Sequence, residues 1–287
     1  MSTEQPKKSV LITGCSPGGI GHALAREFHA KGLHVIASAR TKDAITDLEA
    51  LGMSTLSLEV TSEESIKEAK NAAEKLTGGR LDILVNNAGR NCTFPALDVP
   101  LTEARATFET NLFGPIALTQ SLIPLLIASR GLILNIGSVA AVTPYVFGSV
   151  YNASKAALHA WSSTLRLELE PFDVRVLVVV TGGVKSRIAR TERRLPEGSL
   201  YMDIEEDFLR RVVHSQNGAM DTDVYAKGVV AEVLRGNATR KWLWRGAKSS
   251  HVWWVSQWIG GWVFDRIMPG MFGLTKLRGI VRARGGR

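Results

Sequence analysis

A chain of 287 residues is long enough to bury a full core, as one large domain or two small ones. Its two cysteines, Cys15 and Cys92, argue against a disulfide-built secreted protein and leave no cysteine pair to ligate a metal. The net charge of +8 hints at nucleic acid, but residues 240–287 hold ten Lys/Arg against one acid, Asp265, so the body is close to neutral and the tail is basic. A nucleic-acid protein more often carries a basic face across the fold.

Met1–Lys8 is short and polar, and a strand-like run begins at once with Ser9-Val10-Leu11-Ile12. No signal peptide fits there, so the expected compartment is cytosolic or facing the cytosol. Short apolar runs at 8–13, 33–38, 54–58, 81–86, 131–137 and 173–180 read as strands. They are apolar along most of their length, as strands buried on both faces are. Helices are expected near 20–31, 42–50, 62–76, 102–129 and 149–170. This alternation predicts a doubly wound parallel sheet, a Rossmann fold with helices on both faces. One domain is expected over 1–245, followed by a Trp-rich basic tail over 246–287.

The run Thr13-Gly14-Cys15-Ser16-Pro17-Gly18-Gly19-Ile20-Gly21 joins the first strand to the first helix. Glycines there let the backbone pass close to a pyrophosphate, and the helix N-terminus supplies amide donors. A tight turn without a ligand is the plainer alternative. The second strand ends Ala37-Ser38-Ala39-Arg40. An acid at that point would bind the ribose hydroxyls of NAD; a guanidinium suits a 2′-phosphate instead, so NADP(H) is favoured over a mere surface arginine.

Tyr151 and Lys155 are four apart in a helical stretch, one turn apart on one face. An ammonium held close to a phenol lowers its pKa from near 10, making it a usable acid and base. Ser138 closes the fifth strand at the end where α/β sheets place their sites.

With the glycine loop, Asn86-Asn87-Ala88-Gly89, Asn111, Ser138 and Tyr151/Lys155 in that order, residues 8–245 resemble the short-chain dehydrogenase/reductase family. The resemblance implies that Tyr151 gives the proton to a carbonyl oxygen, Ser138 orients that carbonyl, Lys155 binds the nicotinamide ribose, and Asn111 anchors a water behind Lys155. Hydride would come from the nicotinamide. It also implies an NADP(H) site built from Gly14, Ser16, Gly19, Ile20, Gly21, Arg40, Glu59, Val60, Asn87, Ala88, Gly89, Tyr151, Lys155, Gly182, Val184 and Ser186, no metal, and a homodimer or homotetramer built on helices 102–129 and 149–170. Three positions depart from the family pattern: the glycine loop is one residue longer, Glu59 stands where an aspartate is usual, and Thr181-Gly182 replaces Pro-Gly.

Residues 185–215 are expected to form the substrate lid. Its run Lys185-Ser-Arg187-Ile-Ala-Arg190-Thr-Glu-Arg193-Arg194 suits an anionic substrate or is a solvated face; Tyr201, Met202 and Phe208 would add apolar lining. Six of the seven tryptophans lie in 242–262, with Trp242 and Trp244 alternating as an edge strand. The uncharged stretch Val252–Phe264 has thirteen residues, short of the roughly 20 that span a bilayer. Trp, Phe and Met beside arginines describe a segment lying in a membrane interface, with bends at Gly260-Gly261 and Pro269-Gly270. The alternative is a tail that wraps the body or a second subunit. Glycine loop, Ile136–Ala141 run and tail together most resemble the branch that reduces 1-acyl-dihydroxyacetone phosphate with NADPH at endoplasmic reticulum and lipid-droplet surfaces. Secondary-metabolite or steroid-type ketoreductases, and a cofactor-binding scaffold without turnover, are the alternatives.

Overall fold

The computed structural model describes residues 7–189 and 193–285. Seven strands are β1 (Ser9–Ile12), β2 (His34–Ala39), β3 (Ser54–Ser57), β4 (Ile83–Asn86), β5 (Leu132–Ile136), β6 (Arg175–Thr181) and β7 (Trp242–Arg245). They form one sheet in the order β3-β2-β1-β4-β5-β6-β7, every neighbour parallel. The chain reverses direction across the sheet between β1 and β4, and a crevice opens there at the carboxyl ends of the strands.

Strand residues alternate between two cores. Val10, Ile12, Val35, Val85, Leu134 and Val179 face α1 (Ile20–Ala30), α2 (Thr46–Ala50) and α8 (Thr222–Val233). Leu11, Ile36, Leu84, Ile133 and Val176 face α3 (Glu63–Thr77) and α5 (Gly114–Ser129). Both faces are covered, which is why the strands carry no polar alternation. The stretch Leu101–Ser129 is long and apolar enough to cross a membrane, yet Leu118, Leu122, Leu125 and Leu126 are spent on this core.

The single helix expected over 102–129 is interrupted. α4 (Leu101–Phe108) and α5 are joined by a widened π turn, Glu109–Phe113, centred on Asn111. Such turns place a side chain that an unbroken helix would rotate away. α6 (Ser149–Glu168) runs beside β5 and β6.

His159 of α6 ties that helix to the end of β5. Its Nε2 accepts from the Ser138 N–H at 3.3 Å, and its ring meets the Trp242 ring edge-on at 5.3 Å. An accepting Nε2 means a neutral ring; burial, aided by the Lys155 charge, pushes its pKa down to about 4.

The tail does not stand apart. α9 (Ser249–Trp258), α10 (Trp262–Met271) and α11 (Leu274–Gly285) follow β7. Phe272 and Met268 pack with Phe147, Phe208 and Ile204 in a third core beneath α7 (Glu205–Val213), and Arg284 pairs with Asp203 at 2.5 Å. The expected bend at Gly260-Gly261 occurs, with Gly260 at φ +103°. The one at Pro269-Gly270 does not, because both residues sit inside α10; the chain turns at Gly273 instead, at φ +79°. The other side of α9 and α10 leaves Trp254, Trp258 and Trp262 more than half exposed.

Two outcomes follow. Phe272→Ala should lower unfolding free energy by about 3 kcal/mol in urea titration; an unchanged midpoint would mean the tail is not part of the lid core. His159 must take up a proton on unfolding below its free pKa of 6.5, so its contribution is complete above that pH and is lost as pH falls toward 4. Stability should drop on the order of 3 kcal/mol from this group between pH 7 and 4, and His159→Gln should flatten that slope; parallel pH curves for the two proteins would exclude it.

Candidate active site

A cleft of about 970 Å³ opens at the carboxyl ends of the strands. Its first wall is the turn between β1 and α1. Gly14 and Gly18 adopt positive φ (+73° and +72°), while Gly19 caps α1. Gly21 lies just behind the cleft lining; a Cβ on it would fall 2.5 Å from both Asn87 Nδ2 and the Gly14 carbonyl. Asn87 Nδ2 donates to the carbonyls of Thr13 (2.7 Å) and Gly14 (3.1 Å), and the Thr13 hydroxyl accepts from the N–H groups of Asn87 and Ala88. The loop is therefore tied to the end of β4, with Ser16, Ile20 and Gly89 beside it on the lining.

Arg40 lines the cleft at the end of β2 and is exposed, and among the described residues no carboxylate pairs with it. Glu59 also lines it, but its carboxylate closes its own turn by accepting from the Thr61 N–H and hydroxyl. Val60 lines the same edge and packs against Gly114, where a Cβ would meet its carbonyl at 2.9 Å. The amide-lined loop, the helix N-terminus and a free guanidinium fit a dinucleotide with a 2′-phosphate.

Across the cleft, Ser138 follows β5, and Tyr151 and Lys155 project from the first turns of α6; all three reach the lining. Lys155 Nζ donates to the Ile136 carbonyl at 2.9 Å. Its ammonium is buried, which pushes its pKa down to about 8. Asn111 is wholly buried behind it. Its Oδ1 accepts from the Arg90 N–H, and its Nδ2 donates to the Arg90 carbonyl and the Ser154 hydroxyl, each at 3.0 Å. A Cβ on Gly89 would lie 3.3 Å from Asn111 Oδ1 and 3.8 Å from Lys155 Nζ, so that glycine keeps the corridor between them open.

The expectation that Lys155 depresses the Tyr151 phenol needs correction. Burial raises that phenol above its ordinary value; the Ser138 hydroxyl and, more weakly, Arg211 pull it back, and Lys155, engaged by Ile136, is not among the groups that move it. The free-protein tyrosine is thus held as the neutral phenol.

Gly182, Val184 and Ser186 line the far end. Gly182 donates to the Arg245 carbonyl at 2.8 Å, and a side chain there would run into the carbonyl of Ala247. Val184 bridges to Met220, and the Ser186 N–H donates to Gln216 Oε1. Thr181, where the family has proline, meets the buried Tyr225 hydroxyl at 2.7 Å.

The basic run of the lid does not act as one patch. Arg187 lies over Gly18 at the glycine loop, and Arg193 pairs with Glu103 at 3.1 Å and stacks on Phe94; Arg190, Thr191 and Glu192 fall outside the described residues. Arg211 of α7, Tyr145 and His214 line the substrate side, and Met268 and Met271 of α10 close it. None of these five is evident from motifs. One signal could have found Arg211: it shares a helical face with Phe208 and Val212, an apolar register where a lone cation is unusual.

The sequence profile described as short chain dehydrogenase matches residues 8–196. The short-chain dehydrogenase srdE of Neurospora crassa is 43% identical over 96% of this chain and 95% of its own. The NADPH-dependent 1-acyldihydroxyacetone phosphate reductase of Schizosaccharomyces pombe is 42% identical over 69% of each chain. A crystal structure of a short-chain dehydrogenase from Streptomyces avermitilis superposes with a TM-score of 0.76 at 28% identity, covering 98% of this chain and 99% of that one. Seven parallel strands, a glycine turn at the sheet's switch point and a Tyr-Lys pair facing Ser138, matched over this length, make the chain a member of the short-chain dehydrogenase family.

Proposed function

We propose that the protein reduces a ketone to a secondary alcohol with NADPH, which supplies the hydride when bound. The observation that carries this is Tyr151 and Ser138 lining one cleft with the buried Lys155 ammonium, while Arg40 stands without a carboxylate at the other end. In this reading Ser138 holds the carbonyl oxygen by its hydroxyl, and Tyr151, kept protonated by burial, gives that oxygen its proton. Lys155 and Arg40 hold the ribose and 2′-phosphate ends of the cofactor. Asn111 and Ser154 form the polar route behind Lys155 along which the proton is replaced.

The substrate we favour is a lipid-like ketone such as 1-acyl-dihydroxyacetone phosphate. Val252, Met268 and Met271 give the cleft an apolar end suited to a chain, and one relative carries that activity in its name. A second reading, a secondary-metabolite or steroid-type ketoreductase, draws on the coverage: that relative leaves almost a third of this chain unmatched, whereas srdE matches 96% of it. The exposed Trp254, Trp258 and Trp262 beside the tail's cations support a peripheral seat on an anionic lipid surface, on the cytosolic side of the endoplasmic reticulum or on lipid droplets. Exposed Leu101, Phe113 and Leu167 on α4–α6 support a homodimer or homotetramer through that face.

Purified protein should oxidise NADPH with 1-palmitoyl-dihydroxyacetone phosphate, and Tyr151→Phe should slow turnover about 1,000-fold. Turnover of steroid or polyketide ketones but never this substrate would favour the second reading. Arg40→Asp should move cofactor preference toward NADH; an unchanged ratio of kcat/KM values would remove Arg40 as the phosphate reader. Replacing Trp254, Trp258 and Trp262 together by serine should release the protein from phosphatidylserine vesicles in a flotation assay; wild-type protein that never floats contradicts the membrane seat.

A further inference from the structure

Arg211 is a cation in the wrong place for a surface residue. It is 3% exposed on the lid helix α7. Its Nε donates to the Val146 carbonyl at 2.7 Å, and its guanidinium carbon stands 3.6 Å from the centre of the Tyr145 ring and 5.6 Å from that of Phe272. A guanidinium has five N–H donors; the Nε bond uses one. Among the described residues no carboxylate pairs with it. The nearest acid along its own helix, Asp207, is taken by Arg210 and Lys276.

A buried charge without a counter-ion is unfavourable, and aromatic faces offset only part of that cost. The cofactor's phosphates have their own cations in Arg40 at the end of β2 and Arg187 over the glycine loop. Arg211 lies in the other wall of the cleft with Tyr145, whose hydroxyl is 2.6 Å from His214 Nδ1. Its field reaches the Tyr151 phenol. A group that would complete its donor set must therefore enter through the substrate side of the cleft, beside the proton donor.

We propose that Arg211 is the receptor for an anionic oxygen substituent, carboxylate or phosphate, that the substrate carries next to its reacting carbonyl. The planar fork, its carbon 3.6 Å from the centre of the Tyr145 ring, has N–H groups left to bind two oxygens at once, the geometry that carboxylate and phosphate share. The position of the carbonyl rests on the ketone-reductase reading; the anion preference itself does not.

The test is calorimetric titration of the full chain loaded with NADP⁺, so that binding is read without turnover. Two pairs of ligands differ only in the anion: 3-oxododecanoate against 2-undecanone, and 1-palmitoyl-dihydroxyacetone phosphate against 1-palmitoyl-dihydroxyacetone. At least one anionic member should bind about tenfold or more tightly than its neutral partner, near 1.4 kcal/mol; which pair shows it identifies the headgroup. Arg211→Met should erase that ratio, and Arg211→Lys, which keeps the charge and loses the fork, should restore only part of it. NADP⁺ affinity and Tm should stay near wild type in both variants. Equal affinities within both pairs, or a preference that survives Arg211→Met, overturn the proposal. So does a collapse of Tm and NADP⁺ binding in both variants, which would make Arg211 a structural residue. Selective anion binding without NADPH oxidation would leave the receptor standing and remove the reductase reading instead.

Discussion

The bond from the Lys155 ammonium to the Ile136 carbonyl, 2.9 Å long and buried, fixes the geometry on which the site depends. It ties the first turns of α6 to the last residue of β5. Tyr151 is one turn before Lys155, and Ser138 is two residues beyond Ile136, so both reacting side chains are set by one contact between rigid elements. His159, one turn further along α6, holds the Ser138 backbone from behind and stays neutral because it is buried. The strands below are cross-linked by side chains in the same region: Asn86 donates to Asn135, which donates to Ser162 of α6. These polar bonds lie in a core otherwise made largely of Val, Ile and Leu, where each satisfies a group that would be costly to bury alone.

Around that fixed centre the two ends of the cleft are built differently. The cofactor end is backbone: positive-φ glycines, a helix N-terminus and amides pinned by Asn87 and Thr13. The substrate end is side chains carried by α7 and by the tail, joined through the aromatic core of Phe147, Phe208 and Phe272. Tail and lid therefore form one unit, and the same helices that close the cleft with Met268 and Met271 turn their tryptophans outward. A single segment can in this way both shape a pocket and offer a face to a lipid surface.

Most of the sheet was legible because strands buried on both sides are apolar over most of their length, as Val176–Val180 is. The edge strand at Trp242 and Trp244 was legible by alternation. The proposed catalytic and cofactor residues line one cleft, save that Asn111 and Gly21 lie behind it. What stayed hidden depends on packing between distant segments. No local pattern tells that Asn111 sits on a π turn, that Pro269 continues a helix, or that Lys155 turns its charge to a carbonyl rather than to the phenol. Arg211 and Tyr145 are sixty-odd residues apart, and their stacking exists only in the folded chain.

Burial keeps Tyr151 protonated in the free protein, so that it enters the reaction as the neutral phenol. Ultraviolet pH titration of phenolate absorbance, as the difference between wild type and Tyr151→Phe without added nucleotide, tests it most directly. No ionisation assignable to Tyr151 should appear below the ordinary phenol value of 10. A difference step near neutral pH would contradict it, and would return to Lys155 the role of depressing the phenol.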